Sequence, residues 1–443
     1  MTDPSTPAFL TSLVLGAALL INLLLRLWLA SRQVRAVAGH RDRVPAEFAA
    51  TIPLASHQRA ADYTVTKLRF GLIEMALGAV VLLGWTLLGG LDALNGALLA
   101  LMGAQRPLLQ PLALLVTFAL INALIDLPAT LYQTFVIEQR FGFNKMTLGL
   151  WLGDLLKSSL LGAVIGVPLA ALALWLMRAT GAWWWLWTWG LWMAFSLLML
   201  VIYPMFIAPL FNKFQPLADE ALKERVTRLM ARCGFAAKGL FVMDGSRRSA
   251  HANAYFTGFG AAKRVVFFDT LLAQLTPPEV EAVLAHELGH FKHRHIVLRI
   301  AALFAFSLLA LALLGWLAGQ PWFYAGLGVT PNLPASLGGS VPNHALALLL
   351  FMLVVPVFSF FVSPLLAQLS RRHEFQADAY AAAQASAQDL RHALVKLYKD
   401  NASTLTPDPL YVRFYYSHPP ASERIARMGA GCPPPLGESR GGG

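Results

Sequence analysis

The chain has 443 residues, of which 57% are hydrophobic and only 13% charged. A soluble domain averages about 25% charged residues. With a mean hydropathy of +0.56, this composition excludes a disordered, a secreted disulfide-rich and an ordinary cytosolic protein. The net charge of +11 comes from 35 Lys and Arg against 24 Asp and Glu. In a soluble chain that excess could signal nucleic acid. In a membrane chain basic cytoplasmic loops account for it, and no nucleic-acid partner is expected. Cys233 and Cys432 are too few and too far apart for a disulfide framework or a Cys-based metal site.

A membrane-crossing helix takes about 20 residues, and seven apolar stretches are long enough: 8–30, 70–90, 108–132, 148–176, 183–208, 296–318 and 344–368. The leading MTDPSTP carries Asp3 and no basic residue, so the first stretch reads as a retained anchor and not as a signal peptide. The loop 31–69 carries seven basic residues and the tail after the last span nine. The 319–343 loop has none, and the 177–182 and 91–107 connections have only Arg178 and Arg106. Under the positive-inside rule the N-terminus lies outside, and the 209–295 segment and the tail lie in the cytoplasm. The chain thus divides into five spans with their loops (1–208), a cytoplasmic-side segment (209–295), two further spans (296–368) and a C-terminal part (369–443). The membrane is a bacterial inner membrane, or the endoplasmic reticulum if the source is eukaryotic.

Glu74, Asn122, Asp126, Asp154, Lys157 and Arg299 fall within or beside these spans. Such groups are costly in lipid and turn toward a bundle interior or water, or snorkel from a span end. A run of six tryptophans from Trp183 to Trp192 reads as an interfacial belt.

The 209–295 segment has soluble chemistry. Residues 216–234 read as an amphipathic helix, 239–244 and 264–269 as short strands, and 252–260 as a third strand and turn. HELGH (286–290) follows on a helix with Thr276 as N-cap, Pro277 in the first position and Glu279 completing a capping box. At 3.6 residues per turn His286 and His290 share one face and can bind one ion, and Glu287 beside them can take a proton from an attacking water. A polar helix with incidental histidines would have no reason to place Gly289 there, since glycine weakens a helix and points to close backbone approach.

Downstream, EFQADAY (374–380) places Glu374 and Asp378 four apart on a helix expected to continue from the seventh span. Glu374 completes a two-His, one-Glu zinc site with an open position for water. Asp378 is expected to orient a ligand imidazole. His293 and His295 read as part of a basic cluster flanking the next span.

HELGH, EFQADAY, HANAYFTGF (251–259), FGFNK (141–145), PLFNKF (209–214) and SHPPASERI (417–425) together resemble the type I CAAX prenyl proteases. The resemblance implies an α-helical integral membrane protein whose seven transmembrane helices form a water-filled chamber, with a cytoplasmic-side α+β metalloprotease domain of the zincin type. It implies one zinc ion per chain on His286, His290 and Glu374, with Glu287 as general base. It further implies that Asn253, Ala254 and Tyr255 take the substrate backbone as an added strand, that His418 bonds the substrate near the scissile carbonyl, and that Arg424 supports it. The substrate is then a peptide or protein, prenylated at a cysteine three residues from its C-terminus. Quality-control proteolysis without prenyl recognition is the alternative. A transporter or channel with structural zinc is a remote one, because no fourth protein ligand closes the site.

Overall fold

The computed structural model describes residues 6–103, 106–236, 239–257, 264–331 and 344–429. The first half is a set of long apolar helices: α1 (Pro7–Gly39), α2 (Leu54–Trp85), the shorter α3 (Gly90–Met102), α4 (Leu109–Glu138), α5 (Leu148–Ala179) and α6 (Gly181–Phe211). Helices α4, α5 and α6 each contain a π-helical turn, at Gln133–Glu138, Gly162–Gly166 and Tyr203–Ile207. Each turn has a proline on or near it, Pro128 before the first, Pro168 just after the second and Pro204 within the third, and a missing proline N–H interrupts the regular ladder.

The soluble part follows, with α7 (Glu220–Arg232) and β1 (Phe214–Pro216), β2 (Gly239–Met243), β3 (Ala254–Thr257) and β4 (Arg264–Phe268). These strands form one sheet in the order β1-β2-β4-β3. The central pair β2 and β4 is parallel, and both outer strands are antiparallel to it. Helices α8 (Asp269–Gln274) and α9 (Pro277–Lys292) lead into the membrane helix α10 (His295–Leu317). After α11 (Pro321–Ala325) come α12 (His344–Ser359), α13 (Ser363–Gln384), α14 (Ala387–Asp400), α15 (Pro409–Tyr415) and α16 (Ala421–Gly429).

Among the described residues six helices are long and apolar enough to cross a membrane, and α12 with α13 makes a seventh as a pair bent by 66°. The seventh span therefore does not run on into EFQADAY as one helix. Its break falls between Ser359 and Ser363, after Pro356 inside α12 and before Pro364 at the start of α13. The second span also differs from expectation. It starts at Leu54, and its first turns carry Arg59, Asp62 and Lys67, because a helix continues beyond the lipid where hydropathy no longer marks it. Strand β1 and helix α3 carry too little pattern to be read from sequence. Residues 258–263, the end of the expected third strand and its turn, lie outside the described residues, as does the tail from 430 onward.

The tryptophan run divides. Trp183 and Trp187 are 62% and 60% exposed, as a belt requires, whereas Trp184 is buried. Trp185 packs on Gly315, and Trp189 donates to the Phe304 carbonyl at 3.0 Å. Asn122 accepts from Trp85 Nε1 at 3.2 Å and so ties two spans together, while Asp126 is exposed.

Polar ties fasten the membrane helices to the soluble part. Arg248 grips Asp154 of α5 through two hydrogen bonds of 2.8 and 3.1 Å and also reaches Asn212. Arg32 of α1 pairs with Asp408, whose backbone N–H donates to buried Gln33. Between α1, α2 and the α14–α16 region lies a cavity of about 1000 Å³, walled in part by Gln33, Lys67, Asn401, His418 and Arg424.

Candidate metal centre and its membrane cavity

Helix α9 starts with the expected capping box: the Thr276 N–H donates to Glu279 Oε2 at 2.7 Å, and the Thr276 side chain receives the N3 backbone N–H. Lys396 adds a second contact to the same oxygen at 2.7 Å. The helix lies against α13 at close range. A Cβ built on Gly289 would stand 2.8 Å from Ala377 Cα and 3.1 Å from its carbonyl oxygen. Only glycine lets the two backbones approach this far, and that approach brings HELGH and EFQADAY face to face.

His286 Nε2 lies 3.2 Å from His290 Nε2, and the Glu374 oxygens lie 3.4 Å from the first and 3.3 Å from the second. Ligand atoms about 2.0–2.2 Å from one ion in a tetrahedron are about 3.3–3.6 Å apart. The three side chains thus have the spacing of a coordination shell, and their atoms suit a metal better than one another. Two imidazole nitrogens that face each other cannot both donate, and Glu374 Oε2 is buried with no hydrogen-bond partner in the protein. The residues present fit a divalent metal ion.

Support for the ligands is layered. His286 Nδ1–H donates to Asp378 Oδ1 at 2.9 Å, which leaves Nε2 free for an ion. Arg424 clamps Asp378 with two bonds of 2.6 and 2.8 Å, all within the protein interior. Burial opposes a proton on His286, but its hydrogen bond to Asp378 and the nearby Glu374 carboxylate prevail and push the imidazole up to about 9. A cation therefore competes with a proton here.

His290 has its own support, unforeseen from the sequence. The chain turns through Arg294 in the left-handed region at φ 55°. This turn carries buried His295 back under the site, with its Nδ1 3.0 Å from His290 Nδ1. His295 Nε2–H donates to Gln376 at 2.9 Å, and its ring stacks on His373 at 4.0 Å. That bond fixes the tautomer, so His295 Nδ1 accepts from His290 Nδ1–H. His295 is no mere member of a basic flank.

Glu287 is half-buried beside the cluster. His418 is 63% exposed, with Nε2 3.5 Å from Glu374 and Nδ1 bonded to the Ser417 hydroxyl at 2.9 Å. Arg424 meets Asp378, not His418. Asn253 is exposed and accepts from the Ala254 N–H at 2.8 Å. Ala254 packs toward the soluble core, and Tyr255 faces a second cavity on the other side of the sheet. Strand β3 is an outer strand, so one of its edges is unpaired within the sheet.

A multi-pass helical chain whose two histidines and one glutamate converge beside a large cavity is a membrane-embedded metallopeptidase. Residues 33–213 match the CAAX prenyl protease N-terminal region with five membrane helices, and residues 216–430 match peptidase family M48. The chain is 33% identical to the CAAX prenyl protease 1 homolog of Mus musculus over 94% of this chain and 95% of that one. It is 37% identical to CAAX prenyl protease 1 of Saccharomyces cerevisiae over 72% of each. The crystal structure of S. mikatae Ste24p superposes with a TM-score of 0.87 at 30% identity, covering 94% of this chain and 99% of that one. The chain belongs to peptidase family M48, in the branch of the CAAX prenyl proteases.

Proposed function

We propose that the protein is a zinc endopeptidase that removes the C-terminal tripeptide from C-A-A-X peptides carrying a prenylated cysteine, with its catalytic side facing the cytoplasm. The reading is carried by the 3.2–3.4 Å convergence of His286, His290 and Glu374 beside a cavity large enough for a peptide. The relatives' names support the substrate class, and the basic loop 31–69 and basic tail support the sidedness. Zinc held by the three ligands supplies Lewis acidity to the scissile carbonyl and to the attacking water.

The chain's own residues do the rest. Glu287 takes the proton from the attacking water and hands it to the leaving amine. His418 donates to the carbonyl oxygen as negative charge grows there. Asp378, held by Arg424, and His295, held by Gln376, bind Nδ1 of the two ligand histidines and so turn each Nε2 toward the ion. The open edge of β3 receives the substrate backbone, with Asn253 at its start.

The test compares kcat/KM for a prenylated C-A-A-X peptide and its unprenylated twin. A preference of tenfold or more for the prenylated peptide is expected. Equal rates would reassign the enzyme to quality-control proteolysis.

A further inference from the structure

Arg26 sits two-thirds of the way along α1, within the first membrane span, and lines the large cavity together with His418 and Arg424. An ionisable group at such a place needs a reason, because lipid penalises it. The ordinary reason is snorkelling to the interface, but Arg26 is not turned outward. Its guanidinium carbon stands over the Phe360 ring, 4.5 Å from the centroid, at the break between α12 and α13. Its Nε is buried with no hydrogen-bond partner in the protein.

The other cations on the cavity wall are engaged. Arg424 is clamped to Asp378, and Lys67 lies 3.2 Å from the Tyr63 hydroxyl and 3.7 Å from Glu138. Among the described residues of the wall, Arg26 is the cation without a carboxylate. A guanidinium seated against an aromatic ring, with a donor unspent, suits a planar two-oxygen anion.

We propose that Arg26 binds the free C-terminal carboxylate of the peptide substrate and so makes the cavity measure the distance from chain end to scissile bond. This rests on the peptidase reading above, which sets the cleaved bond at the His418 side of the same cavity. Three extended residues span about 10 Å, a length the roughly 1000 Å³ space can hold. The carboxylate would supply the acceptor that Arg26 Nε lacks, and cleavage beyond a fixed number of residues from the C-terminus would follow from the geometry of one cavity.

The test measures binding, which needs no turnover. Full-length chain carrying Glu287→Gln, zinc-loaded and in neutral detergent, is titrated with a labelled C-A-A-X tetrapeptide as free acid and as amide. Losing a charge-assisted hydrogen bond should weaken the amide about tenfold or more relative to the acid. With Arg26→Gln added, the acid-to-amide ratio should fall to about one, and Arg26→Lys should keep part of the preference. Equal binding of acid and amide to the chain with Arg26 overturns the proposal, as does a preference that survives Arg26→Gln. If Arg26→Gln loses its zinc through misfolding, the acid–amide pair on the chain with Arg26 and on Arg26→Lys decides by the same criterion. An anionic phospholipid that blocks the acid and the amide alike, with no difference between them beforehand, assigns Arg26 to a lipid headgroup and also overturns it. Selective acid binding by a chain whose Glu287 form cleaves nothing would refute the peptidase reading and leave the carboxylate site standing.

Discussion

Replacing Gly289 with alanine tests whether the close approach of α9 and α13 builds the metal site. In a free helix this change stabilises by about 1 kcal/mol, because alanine is the better helix former. Here the new methyl would lie 2.8 Å from Ala377 Cα, and ordinary contact begins at 3.4 Å, so the two helices must part by about 0.6 Å. Backbone, not a flexible side-chain end, is what it meets. Overpacking of this kind costs about 1–3 kcal/mol, which offsets or exceeds the propensity gain and leaves stability lowered by about 0–2 kcal/mol. The metal site is the sharper readout. Glu374 rides on the displaced helix, and metal–ligand distances tolerate only about 0.2 Å. Zinc affinity, measured by competition with a chelator of known strength, should fall about ten- to a hundredfold. A Gly289→Ala chain that is more thermostable than the parent and binds zinc equally well would refute the argument.

The supporting residues and protons give further expectations. Asp378→Asn can no longer accept from His286 Nδ1–H with a full charge and leaves Arg424 buried without its carboxylate; zinc affinity should fall about ten- to a hundredfold and stability by about 3–5 kcal/mol, read by chelator competition and thermal unfolding. His295→Phe keeps the ring stack on His373 but removes the acceptor of His290, so zinc affinity should drop in a chain that still folds, with His295→Gln restoring part of it. Because His286 holds a proton up to about pH 9 when no cation replaces it, zinc binding at pH 7 should release about one proton, and affinity should rise with pH until that value is passed. Calorimetry in two buffers of different ionisation enthalpy measures the released proton, and a count near zero would contradict the assignment.

What the sequence disclosed was local. The HELGH helix is framed by its own cap, and Gly289 announces a close neighbour because glycine in a helix needs an excuse. The pairing of HELGH with EFQADAY was therefore readable across 84 residues. Less was readable where structure depends on what surrounds a segment. The run 344–368 is apolar throughout, so its 66° bend left only Pro356 and Pro364 as traces. The polar half of α2 leaves no trace in hydropathy, which marks lipid and not helix. His295 reads as a basic flank in the sequence because its return under His290 depends on Arg294 adopting a left-handed turn that no Gly or Asn signals. Arg26 carries no signal in the sequence, because one cation near the end of a span normally snorkels.

The central claim is that Glu287 performs acid–base chemistry beside a metal held by His286, His290 and Glu374. Its most direct test is elemental analysis for zinc together with cleavage of a labelled C-A-A-X peptide, comparing the parent chain with Glu287→Gln. The account predicts about one zinc per chain in both, and turnover at least about 10²–10⁴-fold lower in the variant. Wild-type turnover by Glu287→Gln, or a chain without zinc that still cleaves, would contradict it.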